Sequence, residues 1–304
     1  MVRLPDDSKS DMRPHDVCRF PMFPQKIAEV LVTAPTESEG CGYDNLYKDF
    51  DSPLMQKLRR EAYREDIGQH SWVTAEELQE NIPRLKLSRA SRLLDLGCGP
   101  AGPLTYIVGQ VMCHGAGADV SAEALAAGRA RAASLKLDGL VTLHEADLNE
   151  QLPFASGSFD AVISLDAILH LRDRLSVFRE VARILLPAGK FFFTDAGVIT
   201  GPVSDEEIRS RALHGYTQFV PPGFNEKMLE LAGFRVMDRH DQTASLLKTA
   251  TGRLTARLAH RQELEQLEGS DYFEQQQRYL ETVLALSQRG ALSRLLYLAG
   301  SPAA

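Results

Sequence analysis

Short apolar runs alternate with amphipathic segments through the middle of the chain. The runs predict strands at residues 92–96, 115–119, 141–146, 161–165, 190–194 and 235–238. Apolar positions recur at helical spacing between them and predict helices at residues 104–112, 122–133, 175–185 and 226–231. Alternation of strands and helices is typical of a mainly parallel sheet with helices on both faces. The ligand of such a sheet is expected beyond the carboxyl ends of its strands.

The chain ahead of this α/β region divides into two parts. Residues 1–42 carry five prolines between polar stretches, which predicts a partly disordered, flexible segment or, alternatively, a lid or dimer arm. Residues 43–90 are predicted to form a helical lid, because apolar side chains recur there at near-helical spacing. Thr74 and Glu77 match a capping box and predict that a new helix begins there, with Pro83 near its end.

The chain after residue 244 is predicted to be a helical addition, residues 245–304, rich in Leu, Gln, Arg and Glu. One apolar run within it, residues 292–299, fits either a last edge strand or a helix end. Between the two flanks, residues 91–244 are predicted to form a Rossmann-like, doubly wound α/β core. An insertion at residues 197–224 is expected to lie over the ligand site, because such insertions in α/β enzymes usually carry substrate specificity.

Composition places the chain among globular proteins. Of its 304 residues, 44% are hydrophobic and 25% are charged, and the formal net charge is −7. No cluster of Lys and Arg interrupts this acidic balance, which argues against a protein that coats nucleic acid. The four cysteines form no CxxC pair, so neither a metal site nor a disulfide framework is expected. The start has no apolar leader, and no apolar run reaches about 20 residues, which predicts a cytoplasmic location.

The most informative stretch is a glycine-rich loop that follows the first core strand. Gly97, Gly99 and Gly102 are spaced as GxGxxG, which lets the backbone turn tightly and approach a cofactor. This spacing alone is weak evidence, because NAD enzymes share it. Asp95, two residues before the first glycine, suits the cationic amino-acid head of S-adenosylmethionine (SAM) better than a pyrophosphate. Asp119, at the end of the next strand, is placed to accept two hydrogen bonds from ribose hydroxyls.

The order of five motifs resembles that of class I SAM-dependent methyltransferases: LLDLGCGPAG, GADVS, EADLNEQLPF, FDAVISLDAILHL and LLPAGKFFFTD. The resemblance covers about residues 92–238 and implies a Rossmann-like fold that binds SAM and releases S-adenosylhomocysteine. Asp147, at the end of the third strand, is expected to accept a hydrogen bond from the adenine amino group. Four further residues are implied as cofactor contacts: Val120, Leu148, Leu165 and Gln69. Ala188 departs from the glycine that is usual in the family, which costs little unless the turn needs a positive φ.

The acceptor side is marked by Asp166 and His170, which follow the fourth strand. Their four-residue spacing puts both on one face if the segment is helical. The segment SLDAILHLRDRLSVF resembles its counterpart in phosphoethanolamine methyltransferases, and so does Tyr63, five residues before Gly68. In that family the Tyr and the His form a catalytic latch over the cofactor, which makes Tyr63 and His170 candidates by resemblance.

Methyl transfer from a sulfonium is a direct displacement, which needs no metal, but an amine or hydroxyl acceptor must lose a proton. Neutral His170 is the best base at pH 7, because its reference pKa is about 6.5. Asp166 is expected to orient either the acceptor or the imidazole. Two alternatives stay open. In the first, His170 only caps the helix or forms a structural hydrogen bond with Tyr63. In the second, Tyr63 serves only in packing of the lid.

The resemblance to the phosphobase enzymes weakens after the fifth strand. Ala196 stands where that family has a phosphate-binding Tyr, so we expect a different, less charged acceptor. Four residues of the lid and the insertion are expected to contact it: Trp72, His214, Tyr216 and Phe219.

The predicted function is transfer of a methyl group from SAM to an amine nitrogen or hydroxyl oxygen of a small molecule, in a biosynthetic pathway. The protein is expected to be a monomer or homodimer without nucleic-acid or membrane partners. Three alternatives remain: C-methylation, a non-catalytic SAM-binding protein and an NAD(P)-dependent dehydrogenase. The pair of Asp166 and His170 disfavours the non-catalytic alternative. A nucleic-acid methyltransferase is disfavoured because no Asn/Asp-Pro-Pro-Tyr/Phe motif follows the fourth strand.

Overall fold

The computed structural model describes residues 31–33, 47–213 and 215–301. Of the segment at residues 1–42, only strand β1 (Leu31–Thr33) falls within this range. The expected tail, lid or dimer arm otherwise lies outside the described residues. β1 pairs antiparallel with β7 (Thr217–Phe219), which belongs to the predicted insertion.

The region predicted as a lid contains two helices separated by an irregular segment. α1 (Pro53–Tyr63) and α2 (Ala75–Leu85) are helical. Residues 64–74 between them are not helical, contrary to the pattern of their apolar side chains. The reason is local, because Arg64 and Gly68 adopt positive φ angles of 69° and 76°, which a right-handed helix cannot accommodate.

The start of α2 is fixed by Thr74, as the sequence predicts. Its side chain accepts a hydrogen bond from Glu77 N at 3.1 Å, and Pro83 lies in the last turn. The reciprocal half of the capping box is not formed among the described contacts. The Glu77 carboxylate instead accepts hydrogen bonds from Arg294 and Ser245, which ties α2 to the end of the chain.

A seven-stranded sheet forms the centre of the described chain. Its strands are β2 (Arg92–Leu96), β3 (His114–Asp119), β4 (Val141–Glu145), β5 (Phe159–Leu165), β6 (Leu185–Ile199), β8 (Arg235–Asp241) and β9 (Leu292–Gly300). The order across the sheet is β4-β3-β2-β5-β6-β9-β8, and of these strands β9 alone runs antiparallel to its neighbours. The doubly wound, mainly parallel fold is therefore confirmed.

The apolar run at residues 292–299 is a strand, but it does not lie at an edge. β9 lies between β6 and β8, and all its residues except Gly300 are buried. Its sequence fits this place, because a strand covered on both faces needs apolar side chains at nearly every position. The edge belongs to β8, whose residues are exposed or half-buried.

Helices cover both faces of the sheet. Four of these helices are α3 (Gly102–Val111), α4 (Ala122–Ser134), α5 (Arg174–Ile184) and α7 (Phe224–Leu231). Side chains of β6 alternate between the two resulting apolar layers. Phe191 and Phe193 pack with Phe178 in one layer, and Phe192 packs with Leu104 in the other.

Three helices lie between β8 and β9: α8 (Thr243–Ala259), α9 (Arg261–Glu268) and α10 (Ser270–Gln288). α8 crosses α1 closely, since a Cβ at Gly252 would lie 2.3 Å from the Ala62 carbonyl oxygen. α10 packs on α8 and on α6 (Asp205–Arg211). No helix in the described part of the chain is long and apolar enough to cross a membrane.

Ala188, at the start of β6, has a φ of +63°, so the turn does need the left-handed conformation that favours glycine. This conformation costs an L residue about 1–2 kcal/mol. We expect Ala188→Gly to raise the free energy of unfolding by up to about 1 kcal/mol, because relief of the strain exceeds the extra entropy lost by glycine. Urea unfolding measures the change. Ala126→Gly, on the exposed face of α4, is the control and should lose about 1 kcal/mol; equal losses in both variants would contradict this reading.

Candidate active site

A cleft opens at the carboxyl ends of β2, β3 and β5, where the sheet faces the segment that links α1 to α2. Its empty volume up to the open mouth is about 1010 Å³. Asp166 and His170 line this cleft. So do eight of the residues predicted to bind the cofactor: Asp95, Gly97, Gly99, Asp119, Val120, Asp147, Leu148 and Leu165. The position is the one expected for the ligand of a doubly wound sheet.

The glycine-rich loop is held against the end of β3 by its own backbone. Gly97 N donates to the Ala118 carbonyl oxygen at 2.8 Å, and Gly99 N donates to Asp119 Oδ2 at 2.8 Å. Gly97 has a φ of +71°, and a Cβ there would lie 2.5 Å from Ala167 Cβ. Only glycine fits this position, because any side chain would collide with the turn after β5.

Gly102 and Gln69 are not among the residues that line the cleft. A Cβ at Gly102 would lie 2.2 Å from the Gly68 carbonyl oxygen, so this glycine allows α3 to approach the α1–α2 segment. Gln69 Oε1 accepts from Ile67 N at 2.9 Å, and its Nε2 donates to the Glu65 carbonyl oxygen at 3.0 Å. Both residues therefore shape the segment above the cleft, in contrast to the predicted cofactor contacts.

Asp95 has the most perturbed carboxyl group of the cleft. Burial raises its pKa to about 8, and repulsion from the Asp119 carboxylate adds to the effect. A buried carboxyl of this kind is neutral at pH 7 and ionises when a cation is placed beside it. The site is therefore suited to a ligand with a compact positive charge.

Asp119 and Asp147 are held by short local hydrogen bonds. Asp119 Oδ1 accepts from Ser121 N at 3.0 Å. Asp147 Oδ1 accepts from both the backbone N and the side-chain Nδ2 of Asn149, at 2.9 and 2.8 Å. These bonds fix the orientation of each carboxylate at its strand end before any ligand binds.

His170 ends a single 3₁₀ turn, Ile168–His170, and is half-buried at the wall of the cleft. Nδ1 lies 2.9 Å from the Tyr216 carbonyl oxygen. A carbonyl oxygen only accepts, so Nδ1 carries the proton and the basic lone pair is on Nε2. Burial lowers the pKa of His170 to about 4, with Arg211 and Arg174 contributing, although the bond to Tyr216 opposes the shift. The expected value near 6.5 is therefore wrong.

Asp166 and His170 share the cleft, but they do not share a helix. Asp166 has a φ of +58° and precedes the 3₁₀ turn, so helical spacing does not relate the two side chains. Asp166 Oδ2 accepts from Trp72 N at 2.9 Å, and Oδ1 accepts from Arg294 Nε at 2.8 Å. The carboxylate is thus held by the protein itself and is oriented from both sides.

Tyr63 and Trp72 lie outside the cleft lining. The Tyr63 hydroxyl donates to the Ser71 carbonyl oxygen at 2.8 Å, and among the described contacts it makes no bond to His170. Trp72 is 4% exposed and stacks on Tyr279 at a centroid distance of 6.1 Å. The predicted latch between Tyr63 and His170 is therefore absent from the described part of the structure, and Tyr63 instead fixes the α1–α2 segment.

The described contact between the insertion and the site is made by a backbone atom. Tyr216 supplies its carbonyl oxygen to His170. Phe219 is 1% exposed within β7 and does not line the cleft. His214 lies outside the described residues. Of the predicted acceptor contacts, Tyr216 and Trp72 thus have described links to the cleft, each through its backbone.

Sequence reasoning missed a buried ionic network beneath the cleft. Arg294 is fully buried, and its Nη1 lies 2.9 Å from the Glu77 carboxylate while its Nε binds Asp166. Burial alone would lower the pKa of Arg294, but the two carboxylates outweigh it and raise that pKa. One signal was available, since Arg294 is the lone charge within an apolar run that reads as a covered strand.

The comparison with known families agrees with the geometry of the cleft. The family described as "Methyltransferase domain" matches residues 94–193, which include the glycine-rich loop, all three strand-end carboxylates and His170. The chain contains a SAM-dependent methyltransferase domain. The matched residues of this domain run from β2 to β6, so the helices on either side of it are additions outside the match.

Relatives of the methyltransferase domain methylate different acceptors. The chain is 29% identical over 184 residues to the methyltransferase GfsG of Streptomyces halstedii, which covers 56% of this chain and 66% of that protein. It is 27% identical over 257 residues to a sarcosine/dimethylglycine N-methyltransferase of Halorhodospira halochloris, covering 82% and 83%. The structure of phosphoethanolamine N-methyltransferase 2 of Haemonchus contortus with S-adenosylhomocysteine aligns with a TM-score of 0.72 at 18% identity, covering 88% of this chain and 61% of that one. The last comparison shows a shared fold.

Proposed function

We propose that the chain is an enzyme that transfers a methyl group from SAM to a nitrogen or oxygen atom of a small biosynthetic molecule. The observation that carries the proposal is the set of three carboxylates, Asp95, Asp119 and Asp147, at successive strand ends of one cleft. An ammonium, a ribose and an adenine amino group are donors that match them in turn. The N-methylating relative among the similar proteins supports this reading.

In this proposal the cofactor lies along the strand ends. Asp95 faces the ammonium of the methionine part, Asp119 the ribose hydroxyls, and Asp147 the adenine. Val120, Leu148 and Leu165 supply apolar surface to the same cleft. Gly102 and Gln69 act indirectly by setting the shape of the α1–α2 segment.

The acceptor side of the reaction is assigned to His170. Because Nδ1 carries the proton and the pKa of the ring is about 4, Nε2 is the basic nitrogen of the ring at any pH well above 4. We propose that His170 Nε2 accepts a hydrogen bond from the acceptor O–H or N–H. It removes that proton as the acceptor atom forms its bond to the methyl carbon. The weak basicity of the ring makes this transfer uphill until the sulfonium bond breaks, so proton removal and displacement proceed together.

The second role in the chemistry is positional. Asp166 is held by Trp72 N and Arg294, so its carboxylate is a fixed acceptor at the wall of the cleft rather than a proton shuttle. The Tyr63 hydroxyl donates a hydrogen bond to the Ser71 carbonyl oxygen. This bond supports the alternative in which Tyr63 serves only in packing of the lid. A cytoplasmic location and a monomeric or homodimeric state remain predictions from the sequence.

Two assays test the proposal together. Titration calorimetry compares binding of SAM with binding of NAD, and candidate amines and alcohols are screened with SAM that carries an isotopically labelled methyl group. The proposal expects SAM to bind, NAD not to bind, and at least one acceptor to gain the mass of one labelled methyl on nitrogen or oxygen. Binding of NAD in place of SAM, or label found only on carbon, would contradict it.

Proton release on binding SAM is expected from the raised pKa of Asp95. At about pH 6.5 the carboxyl is largely protonated, because its pKa is about 8, and the cationic cofactor binds its ionised form. Each SAM bound should release close to one proton, which appears as a dependence of the calorimetric enthalpy on the ionisation enthalpy of the buffer. Asp95→Asn should abolish that dependence, and a wild-type protein without it would contradict the assignment of Asp95.

A further inference from the structure

A second cavity lies beside the cleft, where α1 faces α8, α9 and α10. The cavity and its open mouth together contain about 870 Å³ of empty space. The family match leaves this cavity unassigned, because every residue that lines it lies outside residues 94–193. Most of the wall is apolar or aromatic, with Met55, Leu58, Ala256, Leu267 and Tyr272 among its residues.

Three guanidinium groups line this cavity, and two of them are neutralised. Arg59 pairs with Asp66 at 2.7 Å and with Asp51 at 3.3 Å. Arg257 pairs with Glu268. The third, Arg253, has no carboxylate within salt-bridge distance in the described part of the chain, and its guanidinium lies 4.8 Å from the centroid of the Trp72 ring.

The positive charge of Arg253 acts on groups inside the cavity. Burial raises the pKa of Tyr63, and the positive charge of Arg253 is the largest effect that opposes the rise. Tyr63 lines the same cavity. An unneutralised cation between an aromatic wall and an apolar wall is a binding element for an anionic group, because the low local dielectric strengthens the attraction.

A second donor stands in the same wall without a well-formed hydrogen bond. Gln276 is 3% exposed and lines the cavity. Its Nε2 makes no hydrogen bond of normal geometry in the described residues, although its side chain lies close enough to the Tyr272 hydroxyl to oppose the rise that burial causes in the pKa of that group. A buried donor left in this state costs free energy, and an oxygen-bearing ligand group would satisfy it together with Arg253.

The second cavity adjoins the cleft through one side chain. His70 lines both, and its ring makes edge contacts with Tyr47 on the cleft side and Phe50 on the cavity side, at centroid distances of 5.7 and 6.4 Å. A molecule that reaches past His70 can place one end in the cleft and the other end in the cavity.

We propose that the second cavity holds the far end of the methyl acceptor, and that this end is an apolar body carrying a carboxylate that pairs with Arg253 and Gln276. The inference rests on the proposed function, because it treats the cavity ligand as the acceptor. A single carboxylate also agrees with the expectation that the acceptor is less charged than a phosphobase. The nucleophilic nitrogen or oxygen then lies on the His170 side of His70.

The test measures binding without turnover, using three probes with the same aryl-alkyl body: 4-phenylbutanoate, 4-phenylbutanamide and 4-phenylbutylamine. Dissociation constants are measured by calorimetry on the full chain, with and without saturating S-adenosylhomocysteine. We expect the carboxylate to bind about tenfold more tightly than the amide, as one charge-assisted pair would give. We expect the amine to bind most weakly.

The variants locate this preference. Arg253→Gln should bring the ratio of the carboxylate and amide constants close to one, and Arg253→Lys should keep most of the preference. Arg278→Gln, an identical change on the exposed face of α10, is the control and should keep all of it. Met55→Trp, which fills the cavity, should weaken the binding of all three probes. This variant tests the proposal if Arg253→Gln does not fold.

Several results would overturn the proposal. They are equal binding of carboxylate and amide by the wild type, tighter binding of the amine, an unchanged preference in Arg253→Gln, or undiminished binding by Met55→Trp. A protein that binds the probes in this pattern but does not bind S-adenosylhomocysteine would overturn the proposed function and leave the carboxylate site standing. The two failures are thereby distinguished.

Discussion

Replacing Arg294 with leucine is expected to lower the free energy of unfolding by about 3–5 kcal/mol. The guanidinium is fully buried and lies between the carboxylates of Glu77 and Asp166, at 2.9 and 2.8 Å. Leucine would leave two buried carboxylates without a cation, and burial already raises the pKa of Glu77. Chemical unfolding of wild type and variant at pH 7 measures the loss.

Two comparisons separate this effect from a simple loss of packing. The loss in Arg294→Leu should shrink as the pH falls toward about 4–5, because protonated carboxyls carry no charge to bury. Arg289→Leu removes an arginine that pairs with Glu207 at the surface, and its stability should change little. Equal losses in both variants, or a loss independent of pH, would show that the buried network does not hold the lid to the sheet.

Replacing His170 with alanine is expected to lower kcat by about 10²–10⁴-fold, the usual range for removal of a general base. The affinity for SAM should change little, because the ring is assigned to the acceptor. The pH profile carries the sharper expectation. The pKa of His170 is about 4, so wild-type kcat at saturating SAM should stay level down to about pH 6 and fall only toward pH 4.

Tyr63→Phe provides the matched comparison for His170→Ala. The Tyr63 hydroxyl donates to the backbone carbonyl of Ser71 and, among the described contacts, not to His170, so this variant should retain most of its kcat and the wild-type profile. Steady-state rates across pH, measured with one acceptor for all three proteins, decide between base and latch. A full-rate His170→Ala enzyme, or an equal loss in Tyr63→Phe, would remove the general-base assignment.

The sequence predicted the sheet and its ligand edge well, because both rest on local signals. A buried parallel strand needs a continuous apolar run, and Gly97 and Gly99 of the loop have positive φ angles that only glycine adopts without strain. The positions of Asp95, Asp119 and Asp147 in the cleft could be predicted because each lies at or near the end of a predicted strand. The expectation that residues 292–299 form an edge strand was wrong for a related reason. An apolar run identifies a covered strand but does not reveal which strands lie beside it.

The acceptor side was predicted less well, because it depends on contacts between distant segments. Helical spacing suggested that Asp166 and His170 act as a pair, yet a single positive φ at Asp166 breaks the helix. The partners of Asp166 are Trp72 and Arg294, 94 and 128 residues away. The pKa of His170 likewise depends on burial by elements that the local sequence does not reveal.

The most direct test of the central claim is titration calorimetry of SAM with the wild type and Asp119→Ala. Asp119 Oδ2 holds the glycine-rich loop through Gly99 N, and the same carboxylate is assigned to the ribose. We expect the wild type to bind SAM and Asp119→Ala to bind it at least tenfold more weakly, because one hydrogen bond to a charged group contributes about 1.5–3 kcal/mol. Asp138→Ala, which removes an exposed carboxylate, should bind as the wild type does. A wild type that does not bind SAM, or an Asp119→Ala variant with an unchanged dissociation constant, would contradict the claim that this cleft is the SAM site.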